Sequence, residues 1–252
     1  MTTLLFKKMV LSLLLATAVC FGGASGSAAA DPALSKPEVE AVVRDYIANN
    51  PKAILDSISA YQKKTMEARQ DGAVEKNRDM IFKDAGSPEV GDAAGDVTVV
   101  EFLDYNCHFC KSAFTTVQSL LEKDKKVRVI FKDFPILGPT SETAAKWVLA
   151  AKKQNKYFEF HTLLMNNKDP ISDDVLAKMA KDLGLDVERM KKDAADKDIE
   201  QQIEKNRALA SNMGISGTPA FIIGDEVVSG AIPLNVMEEK ITALRNKNGK
   251  KK

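Results

Sequence analysis

Cys107 and Cys110 stand at Cys-x-x-Cys spacing within Glu101–Lys111, EFLDYNCHFCK, directly after the apolar, β-branched run Val97-Thr98-Val99-Val100. The run reads as a strand over Val97–Leu103. The pattern Ala113, Phe114, Val117, Leu120 and Leu121 makes the segment after the cysteines a helix. The pair therefore sits at a strand-to-helix turn. A cysteine at a helix N-terminus faces unpaired backbone N–H groups and the positive end of the helix dipole, both of which favour thiolate over thiol. Cys107 takes that place and reads as the nucleophile. Cys110, one turn further on and less exposed, reads as the resolving thiol that attacks a mixed disulfide. His108 can add positive charge or a hydrogen bond near the sulfur. His161, in the aromatic stretch Phe158–His161, reads as structural.

Two other uses of such a pair fit less well. A disulfide closing so small a ring would restrain the unfolded chain by only ~2 kcal/mol, and a chain of this length buries enough surface to fold without a staple. Structural zinc wants four ligands, usually a second Cys or His pair, and the only histidines are His108 and His161. No metal site is expected.

The third cysteine, Cys20, lies in an N-terminal segment with basic Lys7 and Lys8, an apolar stretch from Met9 to Phe21, and Ala28-Ala29-Ala30 before Asp31. Residues 1–30 read as a cleaved secretory signal peptide. Lipidation at Cys20 would need a small residue where Val19 stands, and the apolar stretch is shorter than the ~20 residues of a membrane span. Export places the Cys107/Cys110 pair in an oxidising compartment. Loss of Lys7 and Lys8 takes the formal charge from +1 to −1, which suggests neither nucleic acid nor an anionic membrane as a partner.

Residues 31–84 read as a helical region. Ser35 with Glu38 makes a capping box, and Val39, Val42, Val43, Tyr46 and Ile47 form one apolar face. Asn50-Pro51 opens a second helix expected to run to about Lys83, with Ile54, Ile58, Tyr61, Thr65 and Ala68 spaced as a short coiled-coil seam. A mostly polar helix pair with little core of its own points to self-association. Residues 85–96, with Gly86, Pro88, Gly91 and Gly95, read as a linker.

The domain after it is expected over 97–246. Val127–Phe131 is a second buried strand, giving a βαβ unit with a parallel pair. Residues 140–213 are helical in about four segments, with breaks near Asn155, Asp169-Pro170 and Gly184–Asp186. Ala220–Ile223 and Glu226–Ser229 form a hairpin about Gly224-Asp225, and a last helix runs from about Pro233 to Arg245. Residues 247–252 read as a solvated basic tail. The fold class is α/β: a thioredoxin-like fold with a helical insertion, preceded by a helical oligomerisation segment.

Cys-His-Phe-Cys after an apolar strand, the helical insertion, and Gly217-Thr218-Pro219-Ala220-Phe221 before the late hairpin resemble the DsbA family of exported thiol-disulfide oxidoreductases. The likeness covers about Val97 to Arg245. Phe109 stands where the best-known members carry histidine, and His108 where they carry proline, so a redox potential does not carry over. The resemblance implies that Pro219 is the family's cis-proline, that Thr218 before it pairs with a bound substrate strand, and that Glu101 is the buried acid that helps move the proton of Cys110. A solvent-facing Glu101 is the alternative.

The N-terminal helices, with Val39-x-x-Val42-Val43-Arg44-Asp45-Tyr46 and Asn50-Pro51, resemble the oligomerising extension of the ScsC branch. That resemblance implies a dimer or trimer that shuffles disulfides, since joined sites hold one misfolded client at high effective concentration. Threonine before the cis-proline is also what isomerases of the superfamily carry. The implied clients are cysteine-containing exported proteins, with a membrane redox partner of DsbB or DsbD type, a periplasmic or surface-associated location, and no cofactor. Isomerase or reductase work is favoured over an oxidising disulfide donor. Two other classes remain as alternatives, an oligomeric chaperone or binding protein and a copper-handling protein.

Overall fold

Two seven-residue segments, 97–103 and 127–133, are buried on both faces almost throughout, as interior strands of a covered sheet are, and they lie side by side inside a five-stranded sheet. A computed structural model describes residues 34–70 and 72–249; the expected signal peptide with Cys20, and the last three residues of the basic tail, lie outside them. The contacts divide the chain after Asp56 into two units.

In the first unit, α1 (Lys36–Asn49) begins at Ser35, whose backbone N–H donates to Glu38 Oε2 at 2.8 Å, as the capping box requires. The helix buries none of its residues, and Val39, Val42, Val43, Tyr46 and Ile47 all stay exposed. The helix α2 (Pro51–Gln70) then crosses into the second unit.

Here the structure departs from expectation, because α2 stops at Gln70 rather than near Lys83. Gly72 adopts φ +67°, a conformation that ends a helix at little cost only in glycine. Two short helices follow, α3 (Ala73–Lys76) and α4 (Arg78–Phe82). They bury Ala73, Val74 and Ile81 against Val100, Phe102, Ile130 and Leu209. Fully burying one such aliphatic side chain is worth roughly 1.5–3 kcal/mol, so residues 73–82 pack with the sheet rather than with the region expected over 31–84.

Residues 85–96, marked by composition as a linker, instead carry β1 (Glu89–Gly91), which pairs antiparallel with β3 (Val127–Asp133). The glycine that suggested a loop is needed for close approach: a Cβ on Gly91 would lie 2.3 Å from the Val127 carbonyl oxygen. Lys132, fully buried on β3, holds the segment down by donating to Met80 O (2.7 Å), Ser87 Oγ (2.7 Å) and Asp84 Oδ2 (3.1 Å).

The sheet order is β1-β3-β2-β4-β5. β2 (Val97–Leu103) runs parallel to β3, joined through α5 (His108–Lys123), and the hairpin of β4 (Ala220–Ile223) and β5 (Glu226–Ser229) adds antiparallel to β2. Between β3 and β4 lies the helical insertion: α6 (Pro139–Lys152), α7 (Tyr157–Asn166), α8 (Asp173–Asp182), α9 (Val187–Ala194) and α10 (Lys197–Asn212). The extra break, at Ala195-Asp196, carries no Gly or Pro signal. The last helix, α11 (Leu234–Gly249), runs past Arg245 into the expected tail. One face of the sheet packs on α5, α6–α9 and α11, the other on α3, α4 and the C-terminal half of α10.

Candidate active site

The turn from β2 into α5 is built around Asp104. Its Oδ1 accepts from Asn106 N at 2.8 Å, and its Oδ2 accepts from Ile136 N and Leu137 N at 2.8 and 3.0 Å. The Asp104 carbonyl accepts from Cys107 N at 3.1 Å. One buried carboxylate thus fixes both the approach to the cysteines and the loop after β3.

Cys107 is the N-cap of α5, and its sulfur accepts from Cys110 N at 3.4 Å. Its thiol donates to the carbonyl of Thr218 at 3.2 Å, and the Thr218–Pro219 peptide bond is cis. Cys107 keeps 6% of its surface accessible while Cys110 keeps none, so a partner sulfur can reach only the first. Both thiols are free. Burial pushes the Cys110 thiol far above its ordinary range, and the charge of Glu101 adds to the effect. Cys110 therefore needs a base before it can attack.

Glu101 is buried, contrary to the solvent-facing alternative, and neither of its carboxylate oxygens has a hydrogen-bond partner. Burial first, and the charge of Asp133 second, push it up to about 8. Thr218 is half-buried and Pro219 buried beside the cysteines. The structure thus brings Glu101, Cys107, Cys110, Thr218 and Pro219 together. His108 directly follows Cys107, at the first position of α5. It is exposed, its ring lies edge-on to Phe109 at 5.9 Å, and among the described residues no hydrogen bond joins it to either sulfur.

Sequence reasoning missed Asp104 and a buried polar cluster behind the site. Asp133 accepts from the hydroxyls of Tyr105 (3.0 Å) and Tyr157 (3.4 Å), and Tyr105 also meets His161 Nδ1 at 2.9 Å. Burial pushes Asp133 up to about 7, while the two tyrosine hydroxyls pull it back. His161, fully buried, is driven down to about 3 by desolvation, which agrees with its structural reading. The available signal was position: Asp133 follows Val127, Val129 and Phe131 at the strand period, the inward-facing set. Around Cys107 the surface is apolar, with Phe109, Ile136 and Leu137 exposed. Among the described residues no cluster of three or more His, Cys, Asp or Glu could hold a metal ion.

Residues 98–242 match the DSBA-like thioredoxin domain family. The chain is 34% identical to the thiol-disulfide exchange protein alpha-DsbA2 of Wolbachia pipientis, covering 72% of this chain and 98% of that one with a TM-score of 0.67. A linker-deletion variant of Proteus mirabilis ScsC is 27% identical, covers 86% of this chain and all of that one, and superposes with a TM-score of 0.67. The "Probable disulfide bond formation protein D" of Bacillus cereus is 30% identical over 162 residues, 59% of this chain and 75% of that protein. Other curated relatives are far longer: the chain spans only 21% and 24% of the Na(+)/H(+) antiporters NhaA of Salinispora tropica and Salinispora arenicola, at 31% and 27% identity over 53% and 61% of this chain.

Proposed function

The chain belongs to the DsbA-like thioredoxin family, and we propose that it is an exported protein thiol-disulfide oxidoreductase that works through a mixed disulfide on Cys107. The observation that carries this reading is the placement of the Cys107 sulfur, reachable from solvent, between the Cys110 N–H and the Thr218 carbonyl, with Cys110 shielded behind it. The Cys107 thiolate attacks a client disulfide, one client sulfur leaves as thiolate, and a mixed disulfide remains. Cys110 then passes its proton to the Glu101 carboxylate and attacks the Cys107 sulfur. The second client thiolate leaves and takes up the proton, so two electrons pass from the dithiol to the client. The reverse sequence donates a disulfide. Thr218 offers backbone to an extended client segment, and Phe109, Ile136 and Leu137 supply an apolar surface for one.

Isomerase or reductase work is favoured by the bare apolar face of α1. Five exposed apolar side chains on a helix that buries nothing suit a dimer or trimer that holds one misfolded client between several sites. Periplasmic export, a membrane redox partner of DsbB or DsbD type, and clients among exported cysteine-containing proteins complete the reading. Equilibration with glutathione tests the direction: a potential near about −120 mV would make the protein a disulfide donor, and a markedly lower one an isomerase or reductase. Replacing Cys107 and Cys110 together tests the chemistry, since activity surviving in that variant would favour a chaperone or binding role.

A further inference from the structure

Two buried acids share one face of the sheet. The parallel register that sets Glu101 beside Phe131 and Leu103 beside Asp133 makes Glu101 and Asp133 diagonal neighbours, about 8 Å apart between Cα atoms by sheet spacing. Their surroundings are opposite in character. Glu101 has no hydrogen-bond partner at either oxygen. Asp133 is the end point of a chain of donors: the hydroxyls of Tyr105 and Tyr157 both point to it.

Proton counting sets the direction of that chain when Asp133 is ionised. A tyrosine hydroxyl has one proton, and with that of Tyr105 given to Asp133 the contact with His161 at 2.9 Å is made by the Nδ1–H tautomer of His161 donating to the Tyr105 oxygen. The other ring nitrogen, Nε2, then carries only a lone pair, and it is the His161 atom that lacks a partner. Both tyrosine hydroxyls are aimed at Asp133, and no hydrogen bond of the cluster reaches Glu101. Lys152 of α6 adds positive charge that also favours the Asp133 carboxylate. The remaining titratable groups facing the pair are Cys107 and Cys110 of α5. Lys132 and Asp84 lie on the other face of β3, and β4 contributes none.

We infer that Asp133 is a positioning residue of the exchange reaction: held ionised by the Tyr105 and Tyr157 hydroxyls, it keeps the single proton of the pair on Glu101 and so sets the pH at which Glu101 can accept the proton of Cys110. The inference rests on the proposed role of Glu101 as that acceptor. Its balance is a proton transfer only, from the Cys110 S–H bond to the Glu101 carboxylate, followed by attack on the mixed disulfide as described above. Burial raises both carboxyls, and the charge of Asp133 adds to the rise at Glu101.

The test uses the full chain with glutathione joined to Cys107, following resolution by Cys110 across pH with acid quenching and mass spectrometry. Asp133→Asn is expected to move the inflection of the resolution rate down by about one pH unit. Tyr105→Phe should move it the same way, because Asp133 without that donor takes up a proton and loses its charge, while Asp133→Glu should keep it near the unsubstituted position. Lower rates with an unmoved inflection in Asp133→Asn would overturn the inference and leave Asp133 a packing residue. Should the variants not fold, infrared titration of the unsubstituted protein carrying carbon-13 glutamate decides. A buried glutamic acid band that persists at neutral pH and fades over more than a one-proton span supports the inference; its loss in the ordinary carboxylate range overturns it. If glutathione never joins Cys107 in the unsubstituted protein, the oxidoreductase reading itself falls, and the inference with it.

Discussion

The thiol of Cys107 donates to the backbone carbonyl of Thr218 across 3.2 Å, although 111 positions separate the two residues. Cys107 is placed by the turn that leaves β2, and Thr218 by the segment that enters β4. These strands are hydrogen-bonded neighbours, with Phe102 opposite Ala220. The sulfur-to-carbonyl contact is therefore set by strand register together with the cysteine turn, which Asn106 ties to Thr140 and Ser141 of α6.

Asp104 is the support on which the cysteine turn depends. Asp104→Ala would leave three backbone N–H groups, those of Asn106, Ile136 and Leu137, without their acceptor. Hydrogen bonds to a charged group are worth about 1.5–3 kcal/mol each, and water recovers part of the loss, so a net destabilisation of about 2–4 kcal/mol is expected. Urea unfolding measures it, and Asp104→Asn should lose less than Asp104→Ala.

Glu101 gives stability a definite pH dependence. Its folded value of about 8 lies above the ordinary 4.5, so its favourable contribution is full below 4.5 and is lost as pH rises through 8. Glu101→Gln removes that loss, and the variant should gain on the order of 3–5 kcal/mol over the parent above pH 8, with little difference in acid. Thermal unfolding of both proteins against pH reads this directly; a gap that stayed constant would contradict the buried, unpartnered placement.

Lys132 fastens residues 80–87 to β3. Lys132→Met removes three hydrogen bonds and leaves the half-buried Asp84 without its cation, which should cost about 3 kcal/mol, the low end for breaking a buried pair from one side. Hydrogen exchange should rise first at β1 and α4. If exchange there were unchanged, the anchoring role would be wrong.

The α1 face predicts the oligomer. Val42→Asp with Tyr46→Asp places charge on side chains that are exposed in the single chain, so the second unit should keep its thermal transition. Sedimentation should show the mass falling to that of one chain. An unsubstituted protein already at single-chain mass would remove the proposed self-association.

The cysteine turn, both central strands, the late hairpin and the helical insertion were legible because each follows from period, turn chemistry or spacing. The attachment of residues 73–91 was not. Gly72 could be read as a helix break, but only packing shows that Val74 and Ile81 insert against the sheet, and the glycines of 86–95 mark close backbone contact as readily as a loop. Asp133 was hidden for a related reason. A charged residue closing an apolar strand suggests an exit to solvent, and only the tyrosines from the turn and from α7 turn that inward position into a satisfied one.

The division of labour between Cys107 as nucleophile and Cys110 as resolving thiol is open to trapping. Cys110→Ala and Cys107→Ala variants, each mixed with oxidised glutathione, would be digested and their adducts located by mass spectrometry. A stable one-to-one adduct is expected on Cys107 in Cys110→Ala and almost none on Cys110 in Cys107→Ala; rapid modification of Cys110, or no adduct on Cys107, would reverse or remove these roles.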